Sequence, residues 1–464
     1  MNRIGSLYFN TKFVKSKVCN STYKAFPLII NHHTMASFQI QIISETLIKP
    51  SSPTPPSLKQ HRFSDYDKTM HHMYIPAAFL YTSHGHGITS TDEVSQLLKN
   101  SLSKTLSHYY HFAGRLVGDS HVDCNDMGVK LFEVRVRCPM TEVLKRPNTD
   151  AKDLVFPKGL PWSMGEGDIL VVAQITYFDC GGIAISTDMS HKIVDVSSIA
   201  TFMKDWAAMA RNSSHQPYPV IVSPTILPMD DIPATAEDDI MKENICQSRR
   251  FLFDDSKIVE LKAMAANSGV ENPTRVEVVT AILHKCAVTA STTALGSFMP
   301  NILLLAVNLR SIVSPPLANT SIGNISSCCA ISVTHENQMK FPLLVGELRR
   351  SKTKLLQNYG KQLKKSELLF LNGTDKAQKL SDGDSFDCFI FTSWCRSPLY
   401  EVDFGWGRPV QVYVPSCPIK NTFRLTDTPA QDGIQALVTL EENVMPIFEN
   451  DEELLAFASL IKDS

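Results

Sequence analysis

The sequence predicts a mixed α/β protein of two to three domains, or two large ones, and three observations carry that expectation. Its 464 residues exceed the roughly 100–200 of one domain. Runs rich in β-branched residues alternate with stretches whose apolar residues recur at helical spacing. Between them, residues 212–246 lose both periodicities: NSSHQPYPVIVSPTILPMDDIPATAEDD is rich in proline and ends acidic, the composition of an inter-domain crossover.

Residues 1–34 stand apart. They hold Arg3, Lys12, Lys15, Lys17 and Lys24, and the first acidic residue of the chain is Glu45. Two expectations fit: a disordered extension upstream of a natural start at Met35, or an organellar transit peptide. The first implies a cytoplasmic protein, the second an organellar one. Residues 49–58, KPSSPTPPSL, read as an extended surface segment because proline fixes φ and lacks a donor. Residues 93–116 place Val94, Leu97, Leu98, Leu102 and Leu106 on one helical stripe, with Gly114 at the exit. Residues 168–190 read as a hairpin: DILVVAQITYF, a DCGG turn, and the return strand IAISTDMS. A helix follows on Ile199, Phe202, Met203, Trp206 and Met209, with Ser197 or Ser198 as its cap.

Past the crossover, PTRVEVVTAILHKCAVTA opens a buried helix. NILLLAVNLR (301–310), nearly all apolar, reads as a strand central to a sheet. Residues 349–365 hold seven Lys or Arg and no acid. VQVYV and TFRLTDTPAQDGIQALVTL are β again, with Asp432–Gly433 as a hairpin turn. A short acidic helix closes the chain.

Bulk properties narrow the function. A net charge of −2 provides no global field for nucleic acid or acidic lipid, so neither partner is expected. No run reads as the ~18 apolar residues of a membrane span. The 11 cysteines include no CxxC pair or zinc spacing, which suits reduced thiols acting as small core residues.

The stretch SHKIVD places His191 four residues before Asp195, at the junction of a strand and a helix. That pair reads in three ways: two metal ligands on one helix face, a structural histidine bonding backbone, or acid–base chemistry. A zinc site needs a third protein ligand, and no HxxH or HExxH spacing is near. An imidazole with a pKa near 6.5 can take a proton from an alcohol and return it. No GxSxG elbow is present for a covalent serine route. Asp403–Phe404–Gly405 shares DFG with kinases, but no GxGxxG or HRD loop accompanies it. The fuller string DFGWGRP (403–409) reads as a tight packed turn.

SHKIVD followed far down the chain by DFGWGRP resembles the plant BAHD acyl-CoA-dependent acyltransferases. IKPSSPTP (48–55), LSHYYHFAGRL (106–116), VDCNDMGV (122–129), NLRSIVSPPL (308–317), IGNISS (322–327) and FTSWCRSPLYEVDFGWGRP (391–409) agree. The resemblance covers almost the whole chain except residues 1–34. It is nearest to the branch holding vinorine synthase, capsaicin synthase and the acylsugar acyltransferases.

The resemblance implies an α/β fold of two similar-sized mixed-sheet domains, chloramphenicol-acetyltransferase-like, with a tunnel between them. The implied divisions are 35–211 with HxxxD, a crossover loop 212–248, and 249–464 with DFGWG. The implied activity is acyl transfer from acyl-CoA to a hydroxyl of a small-molecule acceptor, an acylsugar or alkaloid, by a monomer. No metal or permanent cofactor is implied; acyl-CoA is a co-substrate. Transfer to an amine, as in capsaicin synthase, and a non-catalytic binding homologue are the alternatives. His191 is the implied base. Asp195 is structural and pairs with Arg310. Thr392 and Trp394 line the reaction centre, Asn324 lies near the tunnel, and Asp403, Phe404, Gly405, Trp406 and Gly407 support the fold. CoA phosphates need basic partners, for which residues 349–365 are candidates. Two departures narrow the acceptor. Val196 stands where many relatives have glycine, which argues against hydroxycinnamoyl transfer. Ile322 replaces the aromatic of the anthocyanin acyltransferases, which weakens a flavonoid acceptor.

Overall fold

The computed structural model describes residues 38–82, 90–146, 150–158, 160, 167–211, 216–222, 245–359 and 386–462. The proposed extension 1–34 and most of the crossover lie outside the described residues. Two large sheets carry the fold. The first has the spatial order Ile40–Ile48 (β1), Val129–Val136 (β3), Val171–Phe178 (β4), Ile183–Ser190 (β5), Tyr74–Tyr81 (β2) and Gln411–Tyr413 (β10). The second has the order Ser326–Val333 (β8), Asn301–Asn308 (β7), Asp387–Ser393 (β9), Thr422–Asp427 (β11), Ile434–Glu441 (β12), Cys246–Phe253 (β6) and Ser459–Leu460 (β13). Both sheets are mixed: β3 and β4 run parallel, as do β7, β9 and β11, among antiparallel neighbours.

The expected hairpin forms, with β4 and β5 antiparallel from Val171↔Met189 to Tyr177↔Ile183. All eight residues of each strand are buried, because helices cover one face and other chain segments the opposite one. Thr91–His108 (α1) and Val196–Ala210 (α2) pack on this sheet through Leu98, Leu102, Leu106, Phe202 and Trp206. α1 stops at His108, and a 3₁₀ turn, Tyr110–Ala113, intervenes before Gly114. Asp255–Asn267 (α3), Arg275–Leu295 (α4) and Phe341–Tyr359 (α5) cover the second sheet. α4 begins with a full capping box: Thr274 accepts from the Glu277 N–H and Glu277 accepts from the Thr274 N–H.

Four expectations are corrected. The cap of α2 is Asp195, whose side chain accepts from the Ser198 N–H at 2.9 Å; an aspartate one step earlier satisfies the same orphan donors as a serine. β7 is an interior strand, paired on both sides, but lies next to the edge strand β8 rather than mid-sheet, and its second half is only partly buried; an apolar run does not report the distance to the sheet edge. The chain closes on a short strand, Ser459–Leu460, after the helix Glu452–Phe457. α4 is long and apolar enough to span a bilayer by composition, where the sequence showed no such run; most of it is buried in the second core.

Residues 394–414 lie after the crossover, yet Trp394, Leu399, Val402, Phe404 and Val412 pack in the first core. β10 then joins the first sheet beside β2, Gln411↔Leu80. The C-terminal half therefore ties itself into the N-terminal sheet.

Buried histidines set an acid limit. The rings of His61 and His111 meet at a tilt, with centroids 4.8 Å apart, and both residues are buried. Burial lowers His61 and His284 to about 4 and takes His111 well below its ordinary value. Their folded values lie below the unfolded value of 6.5, so the unfolded chain binds protons first. Their stabilisation is full above pH 6.5 and drains away as pH falls toward 4. The melting temperature is expected to fall over that window, and His61→Phe to flatten the slope; an unchanged slope rejects the assignment.

Candidate active site

His191 sits one residue past β5, and its N–H donates to Met73 O at 2.8 Å, just ahead of β2. Three consecutive features fix its ring. Asn324 Nδ2 donates to His191 O at 2.7 Å and to Asp67 Oδ1 at 2.9 Å. Both partners only accept, so the amide is oriented with Oδ1 toward His191. His191 Nδ1 then faces two acceptors, Asn324 Oδ1 and Val194 O, each at 3.1 Å. Neither can donate, so Nδ1 carries the proton and Nε2 carries a lone pair. Burial lowers the pKa of His191; its own backbone, the charge of Asp195, and the Asn324 and Val194 bonds offset this only in part. The ring is therefore neutral at pH 7 and basic at Nε2.

Asp67 supports this from below. It is 1% exposed and accepts from the Asn324 N–H, Asn324 Nδ2, the Ser64 N–H and the Ser64 hydroxyl. Burial raises its pKa against those four donors. Asp67 escaped sequence reasoning, although SDYD (64–67) carries the Ser-x-x-Asp spacing of a helix start. Lys192 was also missed. It is 1% exposed, and Nζ reaches Lys68 O at 3.1 Å and Asp119 at 2.8 Å. Together Asp67 and Lys192 pin the segment 64–73 against the His191 turn.

Asp195 faces elsewhere. Arg310 grips it with both arms, Nη1 to Oδ2 at 2.6 Å and Nη2 to Oδ1 at 2.9 Å. The Ser198 N–H, the Ser198 hydroxyl and the Ile325 N–H also donate to it. Burial pushes this carboxyl up, and Arg310 and Ser198 overcome it, so it lies below the ordinary carboxylate range. Arg310 is 1% exposed and spends its other donors on Ser321 O and Gly323 O. No hydrogen bond joins Asp195 to His191 among the described residues. The pair is two separate functions linked by one turn.

The structure thus brings His191, Asn324, Asp195 and Arg310 into one hydrogen-bonded constellation spanning both halves of the chain. Thr392 lies near the end of β9 opposite Arg424, and its hydroxyl has no hydrogen-bond partner among the described residues. Trp394 N–H donates to Leu425 O at 2.7 Å, and its side chain enters the first core. Neither is hydrogen-bonded to the His191 constellation.

DFGWG packs on the first core. Asp403 Oδ1 accepts from the Gly405 and Gly407 N–H groups at 2.7 and 2.9 Å. Both glycines have positive φ, 100° and 87°, which a side chain would strain. Phe404 meets Tyr81 and Trp206 edge-on, and Trp406 meets Tyr81. The turn therefore braces β2 and α2, the elements that flank His191. In the basic run, Arg349 pairs with Glu277 and Arg350 with Glu347; residues 360–365 lie outside the described residues.

Removing the Asn324 acceptor tests the tautomer argument. Asn324→Leu is expected to lower kcat about tenfold, the loss of one hydrogen bond of ~1.5 kcal/mol to the charged imidazolium. Asn324 favours the protonated ring, so the acid limb of kcat/KM should also move to lower pH. A limb that stays in place shows Asn324 to be structural only.

A family model described as the Transferase family matches residues 38–455. Diaboline synthase of Strychnos sp is 85% identical over 98% of this chain and 99% of its own length. Akuammiline synthase 1 of Alstonia scholaris is 44% identical, covering 91% of this chain and 98% of its own. Among solved structures, vinorine synthase superposes with a TM-score of 0.79 at 32% identity, over 91% of this chain and 99% of that one. TRI101 of F. sporotrichioides, complexed with coenzyme A and T-2, has a TM-score of 0.68 at 14% identity, over 87% of this chain and 100% of that one, which shows the shared fold. The fold is of the chloramphenicol-acetyltransferase type, and the chain belongs to the Transferase family, the BAHD acyl-CoA-dependent acyltransferases.

Proposed function

We propose that the protein transfers an acyl group from acyl-CoA to a hydroxyl of an alkaloid, with His191 as general base. The observation that carries this is the fixed Nδ1–H tautomer, which leaves Nε2 as a lone-pair base. The alkaloid acceptor is supported by relatives named diaboline synthase, akuammiline synthase 1 and deacetylvindoline O-acetyltransferase. Acylsugar acyltransferase 3 is a more distant relative at 36% identity.

In this reading a tunnel between residues 35–211 and 249–464 brings the substrates together, and one chain suffices, as a cytoplasmic monomer. Nε2 takes the acceptor hydroxyl proton as the oxygen attacks the thioester carbonyl. The oxyanion accepts hydrogen bonds from donors at Thr392 and Trp394. Its collapse breaks the C–S bond, forms the ester and releases CoA thiolate, which takes the proton from Nε2. Nδ1 keeps its proton throughout. General base catalysis contributes ~10²–10⁴-fold and one oxyanion donor ~10²–10³-fold. Holding both substrates in near-attack geometry supplies much of the rest.

Purified protein incubated with a panel of acyl-CoAs and alkaloid, sugar and amine acceptors, read by mass spectrometry, tests the proposal. Mass gain on an alkaloid hydroxyl with release of CoA is expected. Free acid carrying the oxygen isotope of oxygen-labelled water would mark a hydrolase instead, and the absence of CoA release a binding protein.

A further inference from the structure

β5 presents two different faces. Ile183, Ile185 and Met189 join the first core beneath α1 and α2. Ser186, Asp188 and Ser190 alternate onto the other face, and all three are buried. In register beside them on β2 are Ala78, Pro76 and Tyr74, and on β4 Gln174 and Val172.

Asp188 is the exception among the buried carboxylates near His191. Asp67 has four donors, and Asp195 has Arg310 and three more. Asp188 is 6% exposed, and its Oδ2 is sealed without a partner. No hydrogen bond or ion pair reaches it among the described residues. Ser186 Oγ, two residues back on the same face, is also buried and unpartnered. A buried acid left without donors is costly, and such a group calls for a partner that the folded chain does not supply.

We propose that Asp188, with Ser186 behind it, is a subsite for the basic nitrogen of the acceptor, holding it as an ammonium–carboxylate pair on the wall leading to His191. The subsite deepens the alkaloid reading above and rests on it. Asp188 lies three residues before His191, which turns out of the strand just past Ser190, so their Cα atoms are at most about 10 Å apart at ~3.3 Å per residue. A rigid polycyclic amino alcohol spans that distance, with its nitrogen at Asp188 and its hydroxyl at Nε2. Burial alone lifts the Asp188 carboxyl to about 8, so the empty site holds it protonated. An amine arriving neutral takes that proton; an ammonium arriving charged displaces it to solvent. The titratable neighbour facing Asp188 is Tyr74, whose hydroxyl donates to Ile169 O at 2.6 Å and is raised well above its ordinary range, chiefly by burial. A neutral sugar provides no charge to ionise the acid, so the pair selects amines.

Asp188→Asn keeps the shape and removes the charge. Titration calorimetry with quinuclidine, a compact tertiary amine, reads the subsite without acyl transfer. Affinity is expected to drop tenfold or more in the variant, while its melting temperature holds, because a neutral amide takes the place of a neutral acid of the same shape. For an alkaloid alcohol that turns over, KM should rise about tenfold with kcat and the KM for acyl-CoA unchanged, and KM for the lactam of the same skeleton should be equal in both proteins. Equal quinuclidine affinity, or a variant that loses lactam and amine alike, overturns the subsite. Quinuclidine discrimination without any acyl transfer keeps the subsite and rejects the transferase reading.

Discussion

Replacing His191 with alanine is expected to lower kcat by at least ~10²–10⁴-fold, the range of general base catalysis, while the KM for acyl-CoA stays within a few fold. The argument rests on the ring's surroundings. Nδ1 is committed to Val194 O and Asn324 Oδ1, so the only proton acceptor on the ring is Nε2. The alanine variant should fold, because the His191 N–H still reaches Met73 O and the half-buried ring supports no core cluster. Single-turnover release of CoA measures the effect, and a variant retaining a third of wild-type kcat would remove His191 from the chemistry. His191→Gln keeps hydrogen bonding without a base of suitable pKa and should be as inactive as alanine.

Asp195→Asn is expected to be the most destabilising single change at the site, because it leaves the Arg310 guanidinium buried beside a neutral amide. Breaking one side of a buried ion pair costs about 3–5 kcal/mol. Arg310 is 1% exposed and is held from both arms, so water cannot replace the lost carboxylate. Asp195 also caps α2 and receives the Ile325 N–H, which ties the His191 turn to the loop 323–325 that bears Asn324. Arg310→Met in the Asp195→Asn background should cost far less than it does alone, since the stranded charge is already gone. Chemical unfolding of the four proteins measures the coupling; strictly additive losses reject the pair. Activity should fall in step with the folded fraction, in contrast to His191→Ala.

Much of the site was legible because its chemistry demands scarce residue types at fixed local spacing. His191 closes a β-branched strand just ahead of a helix, which follows from periodicity, whereas the cap of that helix at Asp195 was decided by its bond to the Ser198 N–H. The glycines of DFGWG announce a turn, and their positive φ values explain why glycine is needed there. Arg310 and Asn324 could be named only through resemblance, since they lie more than a hundred positions from His191 and no periodicity links them. Asp67, Lys192 and Asp188 were invisible for a different reason. A buried charged residue looks like a surface one in sequence, and only its neighbours show whether it is paired, as Asp67 is, or left alone, as Asp188 is.

By itself the sequence determined local elements: the hairpin 168–190, the helices α1, α2 and α4, and a histidine at a strand end with no covalent nucleophile nearby. These depend on interactions within a few residues, which side-chain period and capping chemistry record directly. Tertiary structure decided which nitrogen of His191 is basic, which cation neutralises Asp195, and that residues 394–414 cross back to complete the first sheet and core. Those outcomes depend on contacts between residues far apart in the chain. Such contacts are fixed by burial and hydrogen-bond satisfaction in three dimensions, and no linear pattern encodes them.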